Sequence, residues 1–189
     1  MVYVGNPAVP AVYYALADFH RQTFAHKFSE ALTLLGSLGA DTICVTAIQG
    51  WSHEFAAKLG AKLPPGTVGG DGETGFATSS GRGRGFLYMA KLKGSGDPRI
   101  PANRTWFDHE HEWQGFARNR IDNDLREFTL HVRYEEDFSI NVDLAAKVKK
   151  IGLKPGGSFQ RHESTVWAIR ATFPPNQHRV LRAIKHPFG

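Results

Sequence analysis

The sequence predicts an α+β fold in which helices pack on one face of a mostly antiparallel sheet of about four or more strands. Helical and strand patterns alternate along the 189 residues. The last two strand patterns separate apolar from polar residues, as in a sheet that has one covered face and one wetter face. Regular alternation of helices and strands also fits a doubly wound α/β fold, which is the alternative.

The first third of the chain predicts a long helix followed by a strand. The helical pattern runs from about Ala11 to Leu38, and Gly36 and Gly39 are typical of its end. Its apolar row has i, i+4 spacing and contains Leu16, His20, Phe24, Phe28 and Leu32. Asp41–Ile48 is rich in β-branched residues and is predicted to be a buried strand. A short helix over 52–60 follows.

Residues 64–85 are rich in Gly, Ser and Pro and are predicted to form a long loop. We expect one α+β domain over 1–189, because residues 1–63 alone make a small core. A linker between a 1–63 half and an 86–189 half is the alternative.

The rest of the chain predicts three further strands and two helices. Strands are expected over Phe86–Leu92, Glu127–Tyr134 and Thr165–Phe173, and the last two alternate apolar with polar residues. The helices are expected over about Thr105–Ile121 and Val142–Ile151. The chain then ends in a short basic amphipathic stretch over 176–185.

Composition excludes several classes of protein. The single cysteine, Cys44, excludes a disulfide framework and a cysteine-based zinc site. No apolar run approaches the ~18 residues of a membrane span, and the N-terminus lacks the pattern of a signal peptide. We therefore expect a soluble, cytoplasmic protein without a membrane span.

Charge is distributed unevenly, although the net charge is only +5. Residues 106–140 contain nine acidic and four basic residues, whereas residues 141–189 contain nine basic and two acidic residues. The basic C-terminal segment and the Gly81–Gly85 stretch, with Arg82 and Arg84, make a nucleic-acid partner possible. Mutual neutralisation of the two charged segments within one fold is the simpler interpretation.

Two motifs carry little chemistry by themselves. Gly70–Gly75 matches G-x-G-x-x-G but lacks the strand and helix that a dinucleotide site needs on either side. The His-Glu dipeptide occurs four times, at 53, 109, 111 and 162. Adjacent side chains diverge, and no His-Glu-x-x-His spacing occurs, so the sequence predicts no metal site and identifies no cofactor.

The segment Trp106–Trp113 holds the strongest candidate site. On a helix, Glu110 would share the apolar row with Trp106 and Trp113, and desolvation among indoles favours the neutral acid that a general acid requires. His109 is adjacent and is the candidate base or ligand.

No catalytic motif is complete, so the leading hypothesis is a binding or regulatory module that contacts a protein partner or a small ligand. Its predicted contact residues are Trp106 and Trp113 with His109 and Glu110. A hydrolase or lyase that uses Glu110 with a histidine or a bound metal is the first alternative. A nucleic-acid binder of low sequence specificity is the second.

Overall fold

The strands and helices of the protein follow from a computed structural model that describes residues 3–6, 9–15, 18–50, 74–76, 86–134, 150 and 165–176. Two α-helices lie in these ranges, α1 (Phe19–Ser37) and α2 (His111–Asn123). The strands are β1 (Tyr3–Gly5), β2 (Tyr13–Ala15), β3 (Thr42–Gln49), β4 (Thr74–Phe76), β5 (Phe86–Lys91), β6 (Glu127–Tyr134) and β7 (Thr165–Thr172).

Five of these strands form one sheet in the order β4-β5-β3-β7-β6, and β1 and β2 form a separate two-stranded sheet. Each strand pair in both sheets is antiparallel. Helices and antiparallel strands occupy separate layers, so the α+β prediction is confirmed and the doubly wound alternative is wrong.

Both helices cover the same face of the five-stranded sheet. The register pairs Trp167 with Val132 and Ala171 with Phe128, which places these side chains on one face. From α1, Phe24 packs edge-on against Trp167 with ring centroids 4.9 Å apart. From α2, Phe116 stacks on Phe128 at 4.5 Å. The opposite face carries the alternate residues of β6 and β7.

The first helix begins later than the sequence predicts. Residues 13–15 form β2 and pair with β1, and the turn between them contains Ala11 in a left-handed conformation (φ 64°). The Asn6 side chain accepts the backbone N–H of Val9, which stabilises this turn. The predicted start of the helix at Ala11 is therefore wrong. Apolar residues at helical spacing do not by themselves exclude such a hairpin.

The helix ends at Ser37, within one residue of the predicted end, and Gly39 adopts φ +84° directly after the C-cap residue Leu38. A Cβ atom at Gly39 would lie 2.1 Å from the backbone oxygen of Ser95, so the close approach of these two backbone segments also requires glycine.

The predicted loop over 64–85 contains a strand, because Thr74–Phe76 pairs with β5 as β4. The remainder of that loop lies outside the described residues, as do the predicted helix over 52–60 and nearly all of the segments over 142–151 and 176–185. The single-domain organisation of 1–189 therefore stays a prediction.

A buried arginine joins α2 to the ends of α1 and β7. The Arg120 side chain is fully buried and donates to the backbone oxygens of Leu38 at 3.3 Å and Pro174 at 2.8 Å. It also bonds Asp124 Oδ1 at 2.6 Å and lies over the Phe173 ring. Burial of a guanidinium requires this full set of acceptors.

Candidate functional site

The segment that the sequence marks for function begins with one 3-10 turn, Phe107–His109, rather than with an α-helix. The Glu30 carboxylate from α1 accepts the backbone N–H groups of Thr105 at 2.9 Å and Phe107 at 2.8 Å and fixes this turn. Glu110 is then extended (φ −105°, ψ 92°), and α2 begins at His111. The predicted helix start near Thr105 is wrong, and Glu110 leaves the helical row on which the sequence places it.

Glu110 forms an ion pair with a buried lysine. Lys27 is 1% exposed, and its Nζ lies 2.5 Å from Glu110 Oε1 and donates to the backbone oxygen of Arg133 at 2.9 Å. The ammonium group also lies 5.3 Å from the ring centroid of Trp106. Lys27 is not among the predicted site residues, although its position three residues after Phe24 on the apolar side of α1 was an available signal.

Both tryptophans of the segment are buried in the core. Trp106 donates its Nε1–H to His26 Nδ1 at 2.9 Å, and Trp113 donates its Nε1–H to the backbone oxygen of His131 at 3.4 Å. An indole N–H only donates, so His26 Nδ1 accepts and the neutral ring carries its proton on Nε2. Neither indole presents surface for the contact role that the sequence assigns to it.

The same contacts close the outer edge of β6. Trp113 bonds the carbonyl of His131, and Lys27 bonds the carbonyl of Arg133, two residues further along the strand. Free carbonyls on an edge strand are acceptors for a strand from another chain. Side chains from the two helices occupy these two acceptors, which disfavours a partner that would add a strand at this position.

A second set of charged groups lies beside the first. The Glu112 carboxylate accepts from His131 Nδ1 at 3.2 Å and from Arg133 Nη1 at 3.1 Å, and the three side chains are 30%, 30% and 59% exposed. Because an ionised carboxylate only accepts, His131 carries a proton on Nδ1, and in the neutral ring Nε2 is the acceptor. The Glu110 side chain is 21% exposed, and its partner Lys27 bonds the backbone oxygen of Arg133. We call Glu110, Glu112, His131 and Arg133 the polar corner.

The other predicted site residues lie apart from these contacts. His109 is exposed, while its neighbour Glu110 turns inward to the lysine. Arg82 and Arg84 lie outside the described residues. Within the described ranges, no group of three His, Cys, Asp or Glu side chains is arranged to hold a metal ion.

Comparison of the chain with protein-family models, with curated proteins and with solved structures finds no match. Neither α1 nor α2 is long and apolar enough to cross a bilayer, so the described part of the chain contains no candidate membrane span.

Proposed function

We propose that this protein is a binding module and that the polar corner is its contact surface for a small polar ligand. The observation that supports this proposal is the combination of exposure and internal bonding at the corner. Glu112, His131 and Arg133 hold one another through two hydrogen bonds, yet each side chain remains 30% to 59% exposed.

Side chains that are already held in position lose little conformational freedom when a ligand binds, so more of the interaction free energy appears as affinity. The corner offers carboxylate acceptors from Glu112 and Glu110 and donors from Arg133. A polar ligand that carries both donors and acceptors matches this pattern better than an apolar ligand does. A polar patch on a protein partner is the alternative occupant.

The two other hypotheses have less support from the described residues. A hydrolase or lyase that uses Glu110 needs a histidine or a metal beside this carboxylate, and its observed partner is Lys27. A nucleic-acid binder depends on Arg82, Arg84 and the basic C-terminal segment, which lie largely outside the described residues. Both hypotheses stay alternatives.

Thermal unfolding with a panel of ligands tests the proposal. The panel contains carboxylates, phosphate, neutral sugars and guanidinium compounds, and a ligand present at 100 times its dissociation constant adds about 2.7 kcal/mol of stability. We expect at least one class to raise the unfolding midpoint of the wild-type protein and to lose this effect in Arg133→Ala.

Arg104→Ala is the matched control, because Arg104 is also a partly exposed arginine that forms one ion pair, with Asp108 at 2.9 Å. The control variant should keep the ligand effect. Equal shifts in both variants would place the ligand elsewhere, and a panel without any shift would contradict the small-ligand proposal.

A further inference from the structure

We propose that His26 is an acid-sensitive switch, which releases the indole of Trp106 and loosens the 105–110 segment before α2 when the His26 imidazole takes up a proton. This switch lies between α1 and that segment, and its action does not depend on a ligand at the polar corner. Its basis is a hydrogen bond that only the neutral form of His26 can accept, together with the charges around this bond.

Three polar side chains of α1 hold the segment before α2, and they are His26, Lys27 and Glu30. Glu30 accepts backbone N–H groups of the segment, Lys27 forms an ion pair with it, and His26 accepts the indole N–H. Of these three kinds of side chain, only histidine ordinarily changes its charge between about pH 5 and 8. A modest fall in pH is therefore expected to act first on the His26 contact.

Only a neutral imidazole can accept the indole N–H. Trp106 Nε1–H donates to His26 Nδ1 at 2.9 Å, and this is the one hydrogen bond that the His26 side chain forms within the described part of the chain. An imidazolium ring carries a hydrogen on both nitrogens and has no acceptor, so protonation sets two N–H groups against each other. Because His26 is half-buried, solvent can supply the proton.

The charges around this bond do not favour an imidazolium. The charged and titratable side chains of the two elements that meet here are Lys27 and Glu30 of α1 and Arg104, Asp108, His109 and Glu110 of the facing segment. The Lys27 ammonium lies 5.3 Å from the ring centroid of Trp106, so a second cation against the same indole is unfavourable.

None of the three carboxylates in this set bonds the His26 ring. Glu30 holds the backbone N–H groups of the turn, Glu110 binds Lys27, and Asp108 pairs with Arg104. His109 is exposed. An imidazolium at position 26 therefore loses its bond to the indole without gaining one of these carboxylates, unless that carboxylate gives up its present partner.

Release of the indole affects the whole segment. Trp106 directly precedes the 3-10 turn Phe107–His109, and its side chain is 1% exposed. Loss of its bond to α1 removes one of the contacts that hold this turn in place. The five-stranded sheet should stay intact, because its backbone hydrogen bonds involve no titratable group. Acidification should therefore open the segment locally rather than unfold the protein.

NMR of the full chain between about pH 7.5 and 5.5 tests the switch. At the higher pH we expect His26 Nδ1 to be unprotonated and Nε2 to carry the hydrogen. On acidification both nitrogens should become protonated, and the Trp106 indole signal should move with the same midpoint. Protection of this indole N–H against hydrogen exchange, relative to a free indole at the same pH, should fall at least about tenfold.

Two variants support this measurement. His26→Asn keeps an acceptor oxygen near the position of Nδ1 but has no titratable group, so the indole signal and its protection should stay constant over the same pH range. His111→Asn is the matched control, because His111 is exposed and its side chain forms no hydrogen bond or ion pair within the described residues. This control should respond to acid as the wild-type protein does.

A His26 ring that stays neutral down to about pH 5.5 would overturn the inference, as would a Trp106 signal that does not follow the protonation of His26. Both observations use the wild-type protein, so they decide the matter even if His26→Asn does not fold. Equal loss of indole protection in wild type and His26→Asn would also overturn it. Loss of amide protection in β6 and β7 at the same pH would show general unfolding and would contradict a local switch.

Discussion

Replacement of Asp124 by Asn tests whether charge on this side chain stabilises the buried arginine of α2. Asp124 has a left-handed backbone conformation (φ 54°, ψ 42°), which Asn tolerates, so the substitution removes a charge without straining the chain. The carboxylate accepts hydrogen bonds from Arg120 Nη1 at 2.6 Å and from the backbone N–H of Asn176 at 2.9 Å. It also contacts the exposed Arg126 at 3.1 Å.

The expected loss of stability in Asp124→Asn follows from these contacts. A hydrogen bond to a charged group contributes roughly 1 kcal/mol more than one between neutral groups, so the bonds from Arg120 and Asn176 together account for about 2 kcal/mol. Arg120 is fully buried and water cannot replace the lost charge interaction. The pair with the exposed Arg126 adds less than ~1 kcal/mol. In a chain of this length the unfolding midpoint should fall by about 4–8 °C.

The loss of stability in Asp124→Asn should be larger at neutral pH than at acidic pH. Partial burial tends to raise the pKa of Asp124, but the hydrogen bonds from Asn176, Arg126 and Arg120 outweigh it and hold this pKa below its ordinary value. A carboxyl with a lowered pKa in the folded state stabilises the protein above its unfolded pKa and loses this contribution as the pH falls through the folded value. The difference between wild type and Asp124→Asn should therefore be complete at neutral pH and shrink below about pH 4.

Urea unfolding at neutral and acidic pH measures this difference. Asp108→Asn is the control, because Asp108 forms an exposed pair with Arg104, and its loss should cost less than ~1 kcal/mol at either pH. A difference between wild type and Asp124→Asn that is equally large at both pH values would refute the electrostatic argument. A change no larger than that of the control would show that the charge does not stabilise Arg120.

Three further substitutions test the contacts of α1 and of the 3-10 turn. Gly39→Ala should destabilise the protein by at least about 3 kcal/mol, because Gly39 has a positive φ and a Cβ atom there would lie 2.1 Å from the backbone oxygen of Ser95. A Cβ atom at Gly36 would meet nothing within 4 Å, so Gly36→Ala should stabilise α1 by about 0.5–1 kcal/mol. Urea unfolding of both variants measures this contrast, and similar effects of the two substitutions would contradict it. Glu30→Ala should accelerate amide hydrogen exchange at Thr105, which loses its carboxylate acceptor, and unchanged exchange there would show that Glu30 does not hold the 3-10 turn.

The strands were predictable where one face of the sheet is covered and the other is not. β6 occupies Glu127–Tyr134, the predicted bounds, because alternation of apolar and polar residues has one interpretation at this length. The start of α1 was not predictable in the same way. Tyr13–Ala15 pairs with β1, and this pairing depends on a turn in which Ala11 has a positive φ. Alanine rarely adopts a positive φ, so the sequence does not indicate a turn at this position.

The candidate site was predictable in its location but not in its contacts. The sequence directs attention to the residues around Glu110, and that segment does contribute two of the four side chains of the polar corner. Its partners, Lys27 and the end of β6, are distant in sequence, and a single sequence carries no information about which distant residues meet. Lys27 bonds the carbonyl of Arg133, which is available to a side chain because β6 is the outermost of the described strands of the sheet.

The polar corner and the core depend on the same buried cation. Lys27 has its charged group inside the protein, where it bonds Glu110 on one side and the β6 backbone at Arg133 on the other. Loss of either acceptor would remove a hydrogen bond from an ammonium group in a low-dielectric region, which is unfavourable. The core therefore fixes the spacing between the segment before α2 and the end of β6. Glu112 and His131 extend from these two elements, so the spacing that brings them within hydrogen-bonding distance is set by a side chain that solvent and ligand do not reach.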